Sequence, residues 1–230
     1  MGYCVLGILF LLGKKKWGMM ILTYEEYYGK AYLQLKRAEK TLLDLIHDYP
    51  TQSYPNGVEP ILYCKSRIKR PDSMIRKLEQ RGLPSDGVSA LSHMHDAVGV
   101  RIVCSFMDDV YKIAGWLKTR SEFAIVKTKD YIAYPKPNGY RSLHLVLSFP
   151  SLSGQQLMAE IQLRTIAIDF WAALEHQMKY KRNIEHEKTI RDELKRCADE
   201  IASVDVSMQI LHGGILYSWS YGHSLGMAEK

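Results

Sequence analysis

The fold is decided by the stretch Lys129-Asp-Tyr-Ile-Ala-Tyr-Pro-Lys-Pro-Asn-Gly-Tyr-Arg-Ser-Leu-His144. Two prolines, an asparagine and a glycine interrupt an extended apolar run at 135–139, which predicts a strand, a tight loop and a second strand. The loop and its exits carry basic groups and one aromatic ring, on Lys136, Tyr140, Arg141 and His144. Cationic side chains beside an aromatic ring are suited to binding phosphate and stacking a base.

Side chains alternate beyond this loop. One row is apolar and holds Leu143, Leu145, Leu147 and Phe149, and the other holds Tyr140, Ser142 and His144. Because successive side chains of a strand point to opposite faces, we expect the first row in the core and the second facing a ligand.

Bulk composition indicates one domain with a polyanionic partner. The chain has 230 residues, of which 47% are hydrophobic, enough for a single core. Its net charge is +6 and its pI about 9.0, which favours nucleotides or nucleic acid as partners, although a solvated basic surface explains the charge equally well. The four cysteines are far apart and lack metal-ligand spacing, so we expect free thiols in a reducing cytosol.

The first 22 residues form an uncertain N-terminal extension. Their apolar run, Val5 to Leu12, is too short to span a bilayer. The lysines Lys14 to Lys16 follow this run, whereas the basic residues of a signal peptide precede its apolar region. We therefore predict no export, no membrane span and a cytoplasmic protein.

The N-terminal half is expected to alternate helices and extended segments. Thr23-Tyr-Glu-Glu26 matches a capping box and opens a helix that runs to Pro50. An extended segment at 61–69 and a helix from Pro71 to Leu78 follow, then a loop at 84–89. Residues 96–106 are typical of a buried strand, in which Arg101 has the parity opposite to the apolar row and Gly99 allows close approach of a ligand.

The C-terminal half is expected to hold a strand and two helices. Residues 157–164 alternate strictly, so that Glu160, Gln162 and Arg164 project together. Thr165 caps the next helix. The last helix, at 185–211, carries a heptad-like apolar seam that covers the sheet or pairs with another subunit, and Gly213-Gly214 ends it. The tail at 212–230 has no usable periodicity, and whether it is ordered stays open.

Two carboxylates, Asp96 and Glu160, each stand next to a basic side chain. Such a pair suits Mg²⁺ bridging polyphosphate oxygens, because Mg²⁺ takes few protein oxygens and keeps waters. The alternative is that each is a surface ion-pair partner. Opposing charge comes from Arg67, Lys69, Arg76, Lys77, Arg101, Lys129, Lys136, Arg141 and Arg164.

Other nucleotide and metal folds fit less well. The chain has no Walker A loop and no GxGxxG sequence. His93 and His95-Asp96 raise the alternative of a His-Asp metal phosphohydrolase, but Asp96 continues directly into a strand, whereas such sites place several ligands on helices.

Taken together, the motifs resemble the synthetase domain of RelA/SpoT proteins. The matching segments are Ser66-Arg-Ile-Lys69, Asp72 to Leu78, His95 to Val103, Lys129 to Ile132, Pro135 to His144, Glu160 to Thr165, Trp171 to His176 and Lys179 to Lys181. Their order and spacing cover residues 23–211. The length leaves no room for the hydrolase and regulatory domains of long family members, so a stand-alone small alarmone synthetase is expected.

The resemblance implies an α+β fold, a mixed β-sheet flanked by helices and similar to nucleotidyltransferases, with N- and C-terminal helices. It implies transfer of the β,γ-pyrophosphate of ATP to the 3′-hydroxyl of GDP or GTP, which gives AMP and ppGpp or pppGpp. Asp96 and Glu160 would hold Mg²⁺, and Glu160 would also take the hydroxyl proton. Arg67 and Arg101 would sandwich adenine, and the ATP phosphates would meet Lys69, Arg76 and Lys77.

The acceptor nucleotide would contact the central stretch and its neighbours. Tyr140 would stack on guanine, and the carboxylate of Asp169 would accept hydrogen bonds from the guanine N1 and N2 groups. The other acceptor-side residues implied are Lys129, Lys136, Asn138, Arg141, His144, Gln162, Arg164 and His176.

Some questions stay open at this point. A catalytically silent nucleotide- or RNA-binding regulator on the same scaffold is the alternative function, and an allosteric site for (p)ppGpp or RNA is neither indicated nor excluded. The family likeness and the C-terminal seam imply a homo-oligomer, with a homotetramer expected. Preference between GDP and GTP is not predicted.

Overall fold

The computed structural model describes residues 22–50, 59–150, 156–179 and 187–226. Its helices are α1 (Tyr24–Tyr28), α2 (Ala31–His47), α3 (Pro71–Glu79), α4 (Gly87–His93), α5 (Met107–Lys118), α6 (Ile166–Lys179) and α7 (Glu187–Gly226). Its strands are β1 (Ile61–Ile68), β2 (Val98–Cys104), β3 (Ala124–Asp130), β4 (Leu143–Phe149) and β5 (Leu157–Thr165).

The strands form one mixed sheet in the order β1-β2-β5-β4-β3. β2 and β5 pair in parallel, and the other neighbouring pairs are antiparallel. A parallel pair needs a crossover connection, which here contains α5 and the β3–β4 hairpin. The predicted α+β architecture is thereby confirmed.

Alternation along β2 and β5 separates the core from a polar face. Leu157, Ala159, Ile161 and Leu163 are buried, together with the predicted apolar row of β2 and side chains from α2, α3 and α5. The intervening residues of both strands therefore line the opposite face. On β4 both rows are buried, and Ser142 just before it donates a hydrogen bond to the Leu163 carbonyl at 3.1 Å. Ser142 was predicted to face a ligand, and the structure shows that it does not.

The N-terminal helix is two helices rather than the single one predicted. Thr23 forms the expected capping box, but α1 ends at Gly29, whose φ of 55° lies in the left-handed region that favours glycine. The hydroxyl of Tyr28 donates to the carbonyl of Lys69 at 2.7 Å. This contact ties α1 to the end of β1, and α2 then starts in a new direction.

The predicted loop at 84–89 contains the start of α4. The Asp86 side chain accepts a hydrogen bond from the Ser89 N–H at 2.8 Å, which caps the helix. This cap is a recognisable sequence signal that the prediction did not use.

The last helix extends far beyond its predicted end at residue 211. α7 passes through Gly213 and Gly214 and reaches Gly226, so the prediction that this pair ends the helix was wrong. Glycine ends a helix when it adopts positive φ, and otherwise costs only about 1 kcal/mol in a helix interior. Gly29, Gly82 and Gly139 have positive φ, and the α7 pair does not.

The apolar seam of α7 is covered along only part of its length. Leu194, Cys197 and Ile201 pack on α6, whereas further along Val204, Met208 and Leu211 are exposed. Next to the exposed Val204, the buried Asp205 accepts a hydrogen bond from the Thr165 hydroxyl at 2.6 Å. Burial raises the pKa of Asp205, and the bond from Thr165 partly opposes this.

Several predicted segments lie wholly or partly outside the described residues: most of the N-terminal extension, the greater part of the turn at 50–60, the turn at 151–155, residues 180–186 with the predicted start of the last helix, and the end of the tail at 227–230. Within the described ranges, no helix combines the length and the apolar character that crossing a membrane requires.

Candidate active site

A cleft of about 240 Å³ opens on the polar face of the sheet, where β1, β2 and β5 run side by side. Its lining includes Arg67, Asp96, Gly99, Arg101, Glu160 and Gln162. These residues come from segments up to about ninety positions apart in the sequence. Two predicted adenine contacts and both predicted metal ligands therefore face the same space.

Strand register explains this convergence. Arg67 of β1 pairs with Gly99 of β2, and Gly99 pairs on its other side with Glu160 of β5. Arg101, two residues beyond Gly99, shares its face. Because Gly99 has no side chain, space remains between the two guanidinium groups, and the Arg67 Cγ lies 3.8 Å from where a Cβ of residue 99 would stand.

Asp96 is held by two lysines. The Lys69 Nζ lies 2.8 Å from one carboxylate oxygen, and the Lys77 Nζ lies 2.7 Å from the other. Burial alone raises the pKa of Asp96, but the hydrogen bonds and charges of the lysines outweigh it and lower the pKa to about 2. Asp96 is consequently ionised at neutral pH.

Glu160 is held by an imidazole and an amide. The Nδ1 of His144 lies 3.1 Å from Oε1, and the Nε2 of Gln162 donates to Oε2 at 3.1 Å. Burial raises the pKa of Glu160, but its hydrogen bond and electrostatic interaction with His144, with the bond from Gln162, lower it to about 2. Asp96 acts in the opposite direction, so the two carboxylates are close enough to repel each other.

The carboxylate pair fits a Mg²⁺ site in its chemistry. Both side chains supply anionic oxygens, and Mg²⁺ in nucleotide enzymes uses one or two carboxylates with phosphate oxygens and water. Among the described residues, no group of three or more His, Cys, Asp or Glu side chains is placed to hold a metal ion. A site made by this pair would therefore take its remaining ligands from substrate and solvent.

An aromatic pocket lies beside Glu160. The rings of Tyr131 and Tyr140 have centroids 6.1 Å apart, and His144 meets both edge-on. The Lys136 Nζ lies 4.6 Å from the Tyr131 centroid and 5.1 Å from the Tyr140 centroid. The cation of Lys136 thus contacts the rings on which a planar base would stack.

The central loop is seated on α6 and α7. Asn138 donates to Glu175 of α6 at 3.0 Å. Arg141 donates to the Ala198 carbonyl at 3.3 Å and to Asp199 at 3.0 Å, both on α7. Gly139 has φ 86°, and a Cβ there would lie 2.6 Å from the Ala198 Cβ. Position 139 therefore has room for glycine only, and the loop packs directly on α7.

Arginine and aspartate side chains connect the two ends of the site. Asp169, in the first turn of α6, accepts from Arg164 at 2.9 Å and from the Tyr63 hydroxyl at 2.9 Å, and Arg101 lies 3.2 Å from it. Arg164 also donates to the Tyr140 hydroxyl at 2.7 Å. Three donors already contact the buried carboxylate of Asp169, and its predicted hydrogen bonds to guanine stay a prediction.

Most of the predicted site residues come together; Asn138, which donates to Glu175, and three further residues do not. Lys129 lies near enough to His95 to help lower the imidazole pKa, for which burial is the larger cause. Arg76 instead contacts Asp72 on its own helix, Arg141 points to α7, and His176 is exposed on α6. The predicted nucleotide contacts of these three side chains stay predictions.

Sequence reasoning missed the roles of Tyr131, Tyr63 and Glu175. Tyr131 follows Lys129 by two residues, and side chains two positions apart in an extended chain lie on the same face. The position of Tyr131 on the face of the basic residue was therefore a usable signal. Tyr63 has the same strand parity as Arg67, which places both on the cleft side of β1. Glu175 gave no signal, because its partner Asn138 is 37 residues away.

Comparison with known proteins gives consistent matches. The family described as "Region found in RelA / SpoT proteins" matches residues 66–185. GTP pyrophosphokinase YwaC of Bacillus subtilis is 46% identical over 156 residues, which are 66% of this chain and 74% of YwaC. The crystal structure of small alarmone synthetase 1 of B. subtilis with its product pppGpp superposes with a TM-score of 0.70 at 31% identity, covering 79% of this chain and 94% of that one. The same protein bound to AMPCPP gives a TM-score of 0.62 at 29% identity, covering 80% and 95%.

Proposed function

The chain belongs to the family of RelA/SpoT proteins and is a GTP pyrophosphokinase, and we propose that it moves the β,γ-pyrophosphate of ATP onto the 3′-hydroxyl of GDP or GTP. The products are AMP and ppGpp or pppGpp. The observation that carries this proposal is the position of Asp96 and Glu160 in one cleft, between the Arg67–Arg101 pair and the ring of Tyr140. Because both substrates are cytoplasmic nucleotides, we also propose that the enzyme acts in the cytoplasm.

ATP binds at the β1–β2 side of the cleft in this proposal. The guanidinium planes of Arg67 and Arg101 stack on the two faces of adenine, which the missing side chain of Gly99 makes room for. Lys69 and Lys77 turn from Asp96 towards the phosphates, with Arg76 at the outer edge. Two flexible ammonium groups already gathered at a carboxylate support this role.

GDP or GTP binds at the aromatic pocket. Guanine stacks on Tyr140, Tyr131 lies edge-on to that ring, and the basic groups Lys129 and Lys136 contact the acceptor phosphates. His144 and Gln162 hold Glu160 in place next to the ribose. Asn138 and Arg141 act indirectly, since both fix the loop that carries Tyr140.

Transfer needs one bond to form and one to break. The ribose 3′-oxygen attacks the β-phosphorus of ATP, the bond from that phosphorus to the oxygen bridging it to the α-phosphorus breaks, and AMP leaves with the bridging oxygen. The hydroxyl proton passes to the Glu160–His144 pair. Most of the rate in such reactions comes from positioning and from neutralising phosphate charge, and the basic lining of the cleft supplies both.

Asp96 and Glu160 are the residues that would hold Mg²⁺. When bound, the ion neutralises charge on the polyphosphate. The low pKa of both carboxyls supports this assignment, because a ligand that is already ionised requires no proton loss on metal binding.

A direct assay tests the function. We expect the protein incubated with ATP, GDP and Mg²⁺ to yield equal amounts of AMP and guanosine tetraphosphate by anion-exchange chromatography, and excess EDTA to stop the reaction. A silent nucleotide-binding regulator would bind both substrates and release neither product. That result would refute the proposal.

Replacing Gly139 by alanine is expected to raise the KM for GDP about tenfold and to leave the KM for ATP within about twofold. The added methyl group meets Ala198 at 2.6 Å, and the φ of 86° disfavours any Cβ, so the loop that presents Tyr140 must shift. A tenfold change corresponds to about 1.4 kcal/mol, which is within the cost of placing alanine in a left-handed conformation. Adding Ala198→Gly removes the clash but not the backbone strain, so partial recovery is expected. An unchanged KM for GDP would contradict the seating of the loop on α7.

We also propose that the chain assembles as a homotetramer. Two exposed apolar rows support assembly: Ile166, Phe170, Leu174 and Met178 on α6, and Val204, Met208, Leu211 and Ile215 on α7. Each recurs at helical spacing, and several of these side chains are more than half exposed. Extended apolar stripes of this kind on a single chain mark interaction surfaces.

Light scattering after size exclusion tests the assembly. The wild-type mass is expected near four times the 26.4 kDa of one chain. Replacing Met208 and Leu211 together by lysine should lower it, because burying two ammonium groups opposes association. Val206→Lys, on the opposite face of α7, is the matched control and should keep the wild-type mass. A monomeric wild-type protein would contradict the proposal.

A further inference from the structure

A continuous series of ion pairs and hydrogen bonds runs from the donor-side arginine to the proposed catalytic carboxylate. Arg101 lies 3.2 Å from Asp169, Asp169 accepts from Arg164 at 2.9 Å, and Arg164 donates to the Tyr140 hydroxyl at 2.7 Å. The Tyr140 hydroxyl lies 2.9 Å from Nε2 of His144, whose Nδ1 contacts Glu160.

The middle of this series is buried and charged. Arg164 is 3% exposed and Asp169 is 6% exposed. Two guanidinium groups, from Arg164 and Arg101, share this single carboxylate, and Arg101 carries a lowered pKa from burial and from the charge of Arg164, which Asp169 opposes. A buried charge that loses its partner is strongly unfavourable, so neither Asp169 nor Arg164 can move alone.

The planar guanidinium group, which donates in two directions, explains why arginine occupies position 164. Its Nη1 donates to Asp169, while its Nη2 donates to Tyr140 and, at 3.2 Å, to Gln162. One rigid group therefore fixes the angle between the first turn of α6 and the Tyr140 ring. A lysine ammonium can meet either Asp169 or Tyr140 but does not reproduce this two-sided geometry.

We propose that the Asp169–Arg164 pair is a positioning link that couples occupancy of the adenine site at Arg101 to occupancy of the guanine site at Tyr140. This inference rests on the proposed function, since it takes the two base sites from it. It also assigns Asp169 a positioning role, through the three donors that contact its carboxylate.

Ordering supplies the coupling. Adenine that stacks on Arg101 fixes the guanidinium, and the fixed guanidinium holds Asp169, Arg164 and the Tyr140 hydroxyl in one arrangement. The second nucleotide then meets a ring that is already ordered and loses less conformational entropy on binding. By thermodynamic linkage, GDP must strengthen ATP binding by the same factor.

Calorimetric titration measures this factor without turnover. The donor probe is an ATP analogue with a methylene group between the α- and β-phosphorus atoms, titrated with Mg²⁺ in the presence and absence of saturating GDP. We expect GDP to tighten binding of the analogue at least fivefold in the wild type, within the usual range of couplings between sites. The factor should fall below twofold in Asp169→Asn, Arg164→Lys and Tyr140→Phe. Tyr140→Phe removes only the hydroxyl and keeps the ring, so it decides the outcome if a buried-charge variant fails to fold.

Thr165→Val is the matched control. Thr165 lies between Arg164 and Asp169 in the sequence, and the valine variant loses the hydrogen bond to Asp205 and the cap of α6. The melting temperature of the variant should therefore fall, while its coupling factor stays at the wild-type value. Wild-type coupling retained in Tyr140→Phe, or no coupling in a wild-type enzyme that makes ppGpp, would overturn the link and leave the proposed function standing. A wild-type protein that makes no ppGpp from ATP and GDP would instead refute the proposed function.

Discussion

Replacing Glu160 by glutamine is expected to reduce ppGpp synthesis by about a thousandfold or more while both nucleotides still bind. The variant keeps the shape of the side chain and an oxygen that can accept from His144, but it loses the negative charge. In the proposed mechanism that charge holds Mg²⁺ and receives the hydroxyl proton, and removing one such electrostatic contact typically costs two to three orders of magnitude in kcat. The Glu160 side chain is only 14% exposed in the cleft wall, so water cannot readily take over the role of the lost carboxylate.

Rapid-quench measurement of AMP gives the rate, and calorimetric titration with GDP and the methylene ATP analogue gives the affinities. Glu193→Gln, the same chemical change on the exposed face of α7, is the control and should behave as wild type. Equal losses of affinity and turnover in Glu160→Gln would assign Glu160 to binding and remove it from the chemistry.

Replacing Tyr140 by alanine is expected to weaken GDP binding by roughly 5- to 150-fold, equivalent to about 1–3 kcal/mol of lost stacking. The affinity of the ATP analogue measured without GDP should stay within about threefold, because Arg67 and Arg101 lie on other strands. The ring also packs beside Trp171 and Leu194, so a modest fall in melting temperature is expected as well.

Tyr140→Phe separates stacking from hydrogen bonding. It keeps the aromatic face and should bind GDP alone within about threefold of wild type. An unchanged GDP affinity in Tyr140→Ala would show that the base does not stack on this ring.

Local patterns in the sequence were enough to predict individual strands and the cleft-facing carboxylate, whereas the mixed sheet was implied by the family resemblance. Residues 157–164 alternate because β5 has one face in the core, and the same alternation placed Glu160 and Gln162 on the other face. The strand at 96–106 was predictable for the same reason. Periodicity works here because it depends only on neighbouring residues of one strand.

Long-range partners were not predictable in this way. Arg141 was assigned to the acceptor nucleotide from its place in a basic loop, but its direction depends on a helix 57 residues away. The break at Gly29 and the continuation through Gly213-Gly214 show a further limit. A glycine takes the conformation that tertiary contacts require, so the residue type alone does not tell a helix end from a helix interior.

The position of Lys136 has a consequence for how substrate enters. In the proposed mode of binding, a guanine that stacks on Tyr140 from this side displaces the Lys136 ammonium group from the two rings that it contacts. The displaced ammonium group then lies beside the phosphates of the nucleotide. The same side chain would therefore cover the aromatic rings before binding and neutralise phosphate charge afterwards.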